Sequence, residues 1–183
     1  MSLFVLILTS CLLPCCAQSG SKKWDWQSFD FSDAGIRVEL PCEPSRSSKI
    51  FQETPKLARR FEFKCEIGKF QFSISLAEHF GDFDTLKAEE NINLIEKMLR
   101  QGIGGNAEFT SEGISISGFT GRRWSAKNET RLARHLHIEN KRGSYGLQIV
   151  AQKRNARSLE PTDAEFDEVA KRLFDSFQIN DSK

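Results

Sequence analysis

An α+β domain, an antiparallel sheet with helices packed on it, follows from three patterns in this chain of 183 residues. Phe61, Phe63, Cys65 and Ile67 alternate with charged residues, Phe70, Phe72, Ile74 and Leu76 alternate with polar ones, and only Gly68 and Lys69 stand between the two runs. Period-two alternation marks strands with one buried face, and a two-residue, Gly-led connection marks a tight hairpin. From residue 84 to residue 101 the spacing becomes helical, with Ala88, Ile92, Ile95 and Leu99 in one stripe, widened by Asn91, Leu94 and Met98. Near the C-terminus, Thr162 followed by Glu165 forms a capping box ahead of the stripe Phe166, Val169, Ala170, Leu173, Phe174 and Phe177. Strands joined by short turns and interrupted twice by helices imply an antiparallel sheet.

The remaining elements follow the same logic. Ile36, Val38 and Leu40 alternate with Arg37 and Glu39, and Pro41 ends that strand. Residues 45–53 are polar and weakly patterned, which predicts a loop with a short strand through Ile50 and Phe51. Asp84 is placed to cap the first helix and Gly102 to stop it. Further strands are expected through Ile114, Ile116 and Phe119, then over 122–127, 131–140 and 145–152, with a hairpin turn at 141–144. Fifteen phenylalanines against a single tyrosine suit a core built from sheet faces.

The first 16 residues carry no charge, and the apolar run from Leu3 to Leu13 is too short to span a bilayer, which needs about 20 apolar residues. It suits the hydrophobic region of a signal peptide, although no Lys or Arg precedes it. Cys15 and Ala17 are small residues three and one before a cut at Gln18, so the expected organisation is a signal peptide over 1–17, a linker over 18–26 and one domain over 27–181. Leu8-Thr9-Ser10-Cys11 resembles a lipobox and offers an alternative, an envelope lipoprotein anchored through Cys11. Cleavage after Ala17 leaves one pair of cysteines, Cys42 and Cys65, and an even count in an exported domain suggests a disulfide. Both fall in phase with core positions of their strands, and the bridge would contribute about 3 kcal/mol on the chain-entropy model. The expected compartment is periplasmic or extracellular, with no transmembrane segment in the mature chain.

Charge is balanced overall, 26 basic against 25 acidic residues, which argues against a nucleic-acid binder. Between Gly118 and Ser158, however, ten basic residues face two acidic ones. Arg122, Arg123, Arg131, Arg134, Lys141 and Arg142 are the candidate face for an anionic partner, an acidic protein patch or an anionic membrane surface, and the bland alternative is a solvated sheet face. His135 and His137 project from one strand face and could begin a metal site, the basis of an alternative reading as a metal-dependent hydrolase. The blander expectation is solvated or helix-covered histidines that tolerate replacement. Ser115 between Gly113 and Gly118 misses the spacing of a nucleophile elbow. Gly102, Gly104 and Gly105 follow a helix, whereas a phosphate-cradling loop precedes one. Asn128-Glu129-Thr130 is a formal glycosylation sequon, meaningful only in a eukaryotic source. No cofactor is implied.

The stretches Phe31–Pro44, Gly118-Phe119-Thr120-Gly121, Tyr145–Val150 and Phe174–Ile179 together resemble the PsbP-like superfamily of small exported α+β proteins, over about residues 27–180. The resemblance implies an antiparallel sheet sandwiched by helices and an accessory or assembly role more than an enzymatic one. It carries no binding residues onto this chain. The sequence therefore points to an exported, non-enzymatic binding or accessory domain. Intact mass spectrometry of exported protein is expected to show a mature chain starting at Gln18 with two hydrogens fewer than the dithiol form. A lipid-modified N-terminal Cys11, or two thiols alkylated without reductant, would contradict the corresponding half.

Overall fold

The structure is a computed structural model that describes residues 24–50, 57–79, 85–104, 106–116, 118–152 and 161–180. Its elements are β1 (Gln27–Phe31), β2 (Ile36–Leu40), β3 (Ser45–Ile50), β4 (Leu57–Ile67), β5 (Phe70–His79), α1 (Thr85–Ile103), β6 (Glu108–Ile116), β7 (Phe119–Lys127), β8 (Arg131–Glu139), β9 (Gly143–Gln152), α2 (Asp163–Ser176) and β10 (Gln178–Ile179). Seven strands pair in the order β3-β4-β5-β9-β8-β7-β6, and a second, small sheet has the order β1-β2-β10. Every pairing is antiparallel. The fold is α+β, with helices on both sides of the large sheet.

Alternation decides which face becomes the core. Phe61, Phe63 and Cys65 of β4 stand opposite Leu76, Ile74 and Phe72 of β5, which in turn oppose Tyr145, Leu147 and Ile149 of β9. Leu132, Leu136 and Ile138 of β8 complete the same face, and all are buried. Burying each large apolar side chain contributes about 1.5–3 kcal/mol. The cover is the small sheet and α2. Phe31 stacks on Phe63 at 3.9 Å, Phe166 on Phe70 at 6.0 Å, and Phe177 meets Tyr145 edge-on at 6.1 Å. The α2 N-terminus carries the expected capping box. The Thr162 hydroxyl accepts from the Glu165 amide at 3.2 Å, and the Glu165 carboxylate accepts from the Thr162 amide at 2.9 Å.

A disulfide and a cluster of charged groups help to fasten the small sheet to the large one. The Cys42–Cys65 disulfide joins the segment after β2 to β4, with 5.9 Å between the α-carbons. At the β1–β2 turn, Arg142 donates to the Asp33 carbonyl at 3.0 Å and to Glu78 at 2.9 Å, while Arg59 donates to Glu78 at 2.7 Å. Burial alone would raise the Glu78 carboxyl, but the two guanidiniums outweigh it and hold it below the ordinary carboxylate range. Gly35 lies under Arg142 with φ +63°, a backbone conformation that favours glycine, and a β-carbon there would sit 1.9 Å from the guanidinium and displace it.

Helix α1 lies on the opposite face, over β7 and β8. Glu96 pins it, accepting the Trp124 indole N–H at 2.8 Å and the Ser111 hydroxyl at 3.2 Å. The Trp124 hydrogen bond is the main reason its carboxyl lies below the usual range. The C-terminus is held by Asn128, whose amide donates to the Ile103 carbonyl at 2.7 Å, one of the carbonyls a helix end leaves without a partner. The same side chain accepts from the amides of Thr130 and Arg131 at 2.9 and 2.8 Å, closing the β7–β8 turn. The sequon asparagine is thus part of the fold's internal bonding.

Several expectations need correcting. The weakly patterned segment after Cys42 forms strand Ser45–Ile50, an edge strand whose exposed side chains need no apolar face; Phe51 lies outside the described residues. Strands β1 and β10 were not expected, since neither alternates cleanly and β10 has two residues. Gly102 does not stop α1. The helix runs to Ile103, and Gly104, at φ +100°, turns the chain away. Asp84, the expected cap, and the N-terminal residues 1–23 lie outside the described residues. Leu94 and Met98, expected in the packed stripe, are 56% and 61% exposed, because the sheet receives only the side of the helix carrying Ala88 and Ile92. Strand β9 starts at Gly143, inside the segment expected to be a turn. Trp24 and Trp26, next to the expected start of the domain, pack on Phe72 at 6.1 and 6.0 Å.

Replacing Asn128 with Ala removes both the helix-end and the turn partners. Stability in urea unfolding is expected to fall by about 1–2 kcal/mol. An unchanged midpoint would contradict the role given to this side chain.

Candidate functional site

The α1 face of the sheet does not close against the helix. Ala126 of β7 stands opposite Ala133 of β8, which stands opposite Val150 of β9. Two alanines side by side under a helix leave space, since tight packing needs volume at each position. The result is a cavity of about 280 Å³ between α1 and strands β6–β9, reaching Gln71 of β5. Leu99 and Ile103 of α1 and Phe109 of β6 give it an apolar roof and side. Trp124 and His135 form one end, and Gln148 and Gln152 line the β9 side. Arg131 is the one formally charged residue of the described lining.

His135 is a feature of this site that packing does not explain. It stands opposite Trp124 in register, with ring centroids 5.4 Å apart. Both ring nitrogens are buried and neither has a hydrogen-bond partner. Burial pushes this imidazole down to about 3, and the neighbouring charge of His137 pushes the same way, so the ring is neutral at ordinary pH. A neutral imidazole carries one donor and one acceptor, and leaving both unmet costs stability.

His137, two residues on, is in the opposite situation. It is buried, and its Nε2 lies 2.7 Å from the Glu139 carboxylate, which is buried too and accepts the Ser144 hydroxyl at 2.7 Å. The two rings stack with centroids 6.3 Å apart. Gly146, opposite His137, lies under the His135 ring; a β-carbon there would sit 2.8 Å from the Ser75 hydroxyl oxygen and 3.5 Å from the imidazole. Ser144, Glu139 and His137 are the residue types of a hydrolytic triad, but the wiring differs. The serine hydroxyl is bonded to the carboxylate and the imidazole is not its base, so the order that activates a serine is not made. Among the described residues no group of three or more His, Cys, Asp or Glu side chains is placed to hold a metal ion. Both histidines face α1, so of the two bland alternatives the helix-covered one describes them and the solvated one does not.

The six basic residues singled out in the sequence do not come together on one face. Alternation sends neighbours to opposite sides. Arg122 lies on the α1 side and pairs with Glu96 at 3.5 Å, while Arg123 lies on the α2 side over the Phe174 ring at 5.8 Å. Arg134 lies on the α2 side, pairing with Asp167 at 2.6 Å and covering Phe166 at 5.3 Å. Arg142 is bound to Glu78, and Lys141 is exposed in the β8–β9 turn. Arg131 goes to the cavity wall. Among the described residues, Arg122, Lys127 and Arg134 meet acids on the two helices. Trp124, Glu96 and the alanine pair had no signal in the sequence, because Ala126 and Ala133 become neighbours only once the β7–β8 register is known.

Among solved structures the chain is similar to cyanobacterial PsbP (CyanoP) from Synechocystis sp. PCC 6803, with 14% identity and a TM-score of 0.48, over 91% of this chain and 99% of that one. It is also similar to PA94 of Pseudomonas aeruginosa, a protein of unknown function, with 14% identity and a TM-score of 0.39, over 81% of this chain and 95% of that one. Neither similarity assigns a role to any residue. No family model matches the chain, and no curated protein sequence matches it.

The two histidines are expected to respond oppositely to replacement. His135→Leu removes two unmet polar groups and should leave stability unchanged or raised at pH 7, whereas His137→Leu leaves Glu139 buried without its imidazole and should cost about 3 kcal/mol. Acid sensitivity follows from the same group. Below pH 6.5 the unfolded chain takes a proton that the folded His135 refuses until about 3, so stability falls as the pH drops through that window. Wild type should lose about 2 kcal/mol relative to His135→Leu between pH 7 and pH 5 in urea unfolding. Parallel curves for the two proteins would contradict a neutral, buried imidazole.

Proposed function

We propose that this chain is an exported, non-enzymatic binding domain that takes a small ligand into the cavity between α1 and the sheet. The observation that carries the reading is His135. A fold that buries an imidazole with both nitrogens unmet, beside an open volume, keeps a residue that packing alone would replace. A wall of apolar side chains with a few polar groups has the make-up of a small-molecule site. The frame around it is rigid: α1 is fixed at Glu96 and at Asn128, and the far face of the sheet is a packed core. Export is supported by the Cys42–Cys65 disulfide, a bond that persists in oxidising compartments. No helix among the described residues is long and apolar enough to cross a membrane. An accessory role without catalysis is supported by the wiring of Ser144 to Glu139 in place of an imidazole.

Titration of the domain with indole tests the reading, because Trp124 reports on the site through its own indole N–H. In amide and indole spectra, saturable shifts are expected at Trp124, Phe109 and Val150, with the α2 face unmoved. Ala133→Leu, which fills the space, should abolish them while the protein stays folded. Absence of saturable shifts, or equal shifts in the filled variant, would contradict the proposal.

A further inference from the structure

The cavity has one charge in its described lining, and that charge is placed to select a ligand. Arg131 opens β8 on the same face as His135, four residues away, which separates their α-carbons by about 13 Å in an extended strand. Ala133 lies midway between them on the cavity floor. The start of β8 is held in place, because the Arg131 amide donates to the Asn128 side chain at 2.8 Å and the Asn128 amide donates to the Arg131 carbonyl at 3.0 Å. The guanidinium itself is exposed and makes no ion pair among the described residues, whereas Arg122, Arg134 and Arg142 all do. The other polar side chains in the described lining besides the Trp124 indole are neutral: the amides of Gln71, Gln148 and Gln152 and the imidazole of His135. A cationic fork at one end, an apolar middle and a neutral polar end describe an amphiphilic anion.

The volume limits its size. At about 280 Å³ the cavity exceeds the ~150 Å³ that accommodates benzene and sits near the low end of small-molecule sites. Flat rings bound it, since Trp124 and Phe109 both contribute to the wall. We infer that the site takes a small monocarboxylate with a flat apolar body, its carboxylate paired with Arg131 and its body lying over Ala133 toward His135. A planar carboxylate matches the guanidinium in two parallel hydrogen bonds, which a neutral hydroxyl cannot do. The inference rests on the cavity reading above and adds the chemistry of the ligand to it.

The test uses two probes of one shape, 3-phenylpropionate and 3-phenylpropanol, titrated by calorimetry into the disulfide-bonded domain, with Arg131→Gln and Ala133→Leu as variants. Near-ultraviolet circular dichroism confirms that each variant is folded. The carboxylate is expected to bind about fivefold or more tightly than the alcohol. That advantage should vanish in Arg131→Gln, with the affinity for the alcohol unchanged, and Ala133→Leu should lose both ligands. Equal affinity for the two probes, or an advantage that survives in Arg131→Gln, overturns the anion preference and leaves the cavity reading standing. Failure of both probes to bind the folded wild type overturns the inference together with that reading.

Discussion

Each residue of β8 and β9 must commit to one of two faces, and both faces are covered. This constraint shapes everything else in the molecule. Strand alternation gives Leu132, Leu136 and Ile138 to the side of α2 and the small sheet, where large apolar groups interdigitate. The intervening positions, Ala133, His135 and His137, then necessarily face α1. Apart from Trp124 and Val150, this face is largely alanine, histidine, glycine and glutamine, which offers a helix little apolar surface. Helix α1 is held instead by directed bonds at Glu96 and Asn128, and directed bonds can hold a helix above a void. The packed face and the open face are consequences of a single register.

That register explains the unequal fate of the two histidines. His137 is buried with a carboxylate, and Ser144 completes the carboxylate's bonding, so the group is satisfied and belongs to the architecture. His135 has the same neighbours in sequence and the same face, but its nitrogens find no protein partner. Natural folds tolerate such groups where something besides folding is being served. The arginines divide in the same way. Arg122 and Arg134 complete ion pairs with acids of the helices on the two sides of the sheet, while Arg131 arrives at the cavity wall.

Most of the architecture was legible in the sequence because it is written in local patterns. The β4–β5 hairpin, the Thr162 capping box and the phase of Cys42 and Cys65 each rest on spacing that a single segment carries. The elements that were missed lack such spacing. β10 is two residues long, β3 is an exposed edge strand, and α1 exposes Leu94 and Met98 on a side that hydropathy alone marks as buried. The candidate site was less legible, since it depends on pairings between distant residues. His135 and Arg131 stood out by type, but the alanines that make the space meet only across two strands, and Glu96 meets Trp124 across 28 residues. The excess of positive charge was visible, while its distribution over two faces and its neutralisation by helix acids required the topology.

The central claim is that His135 is a neutral, unpartnered imidazole at the wall of a preformed cavity. Long-range ¹H–¹⁵N spectra of the histidine rings, recorded from pH 8 to pH 4, test it most directly. The account predicts that the His135 ring nitrogens keep the shifts of a neutral imidazole across the whole range, in keeping with a group held down to about 3. A midpoint near the ordinary value of about 6.5 would place the ring in water and contradict the account.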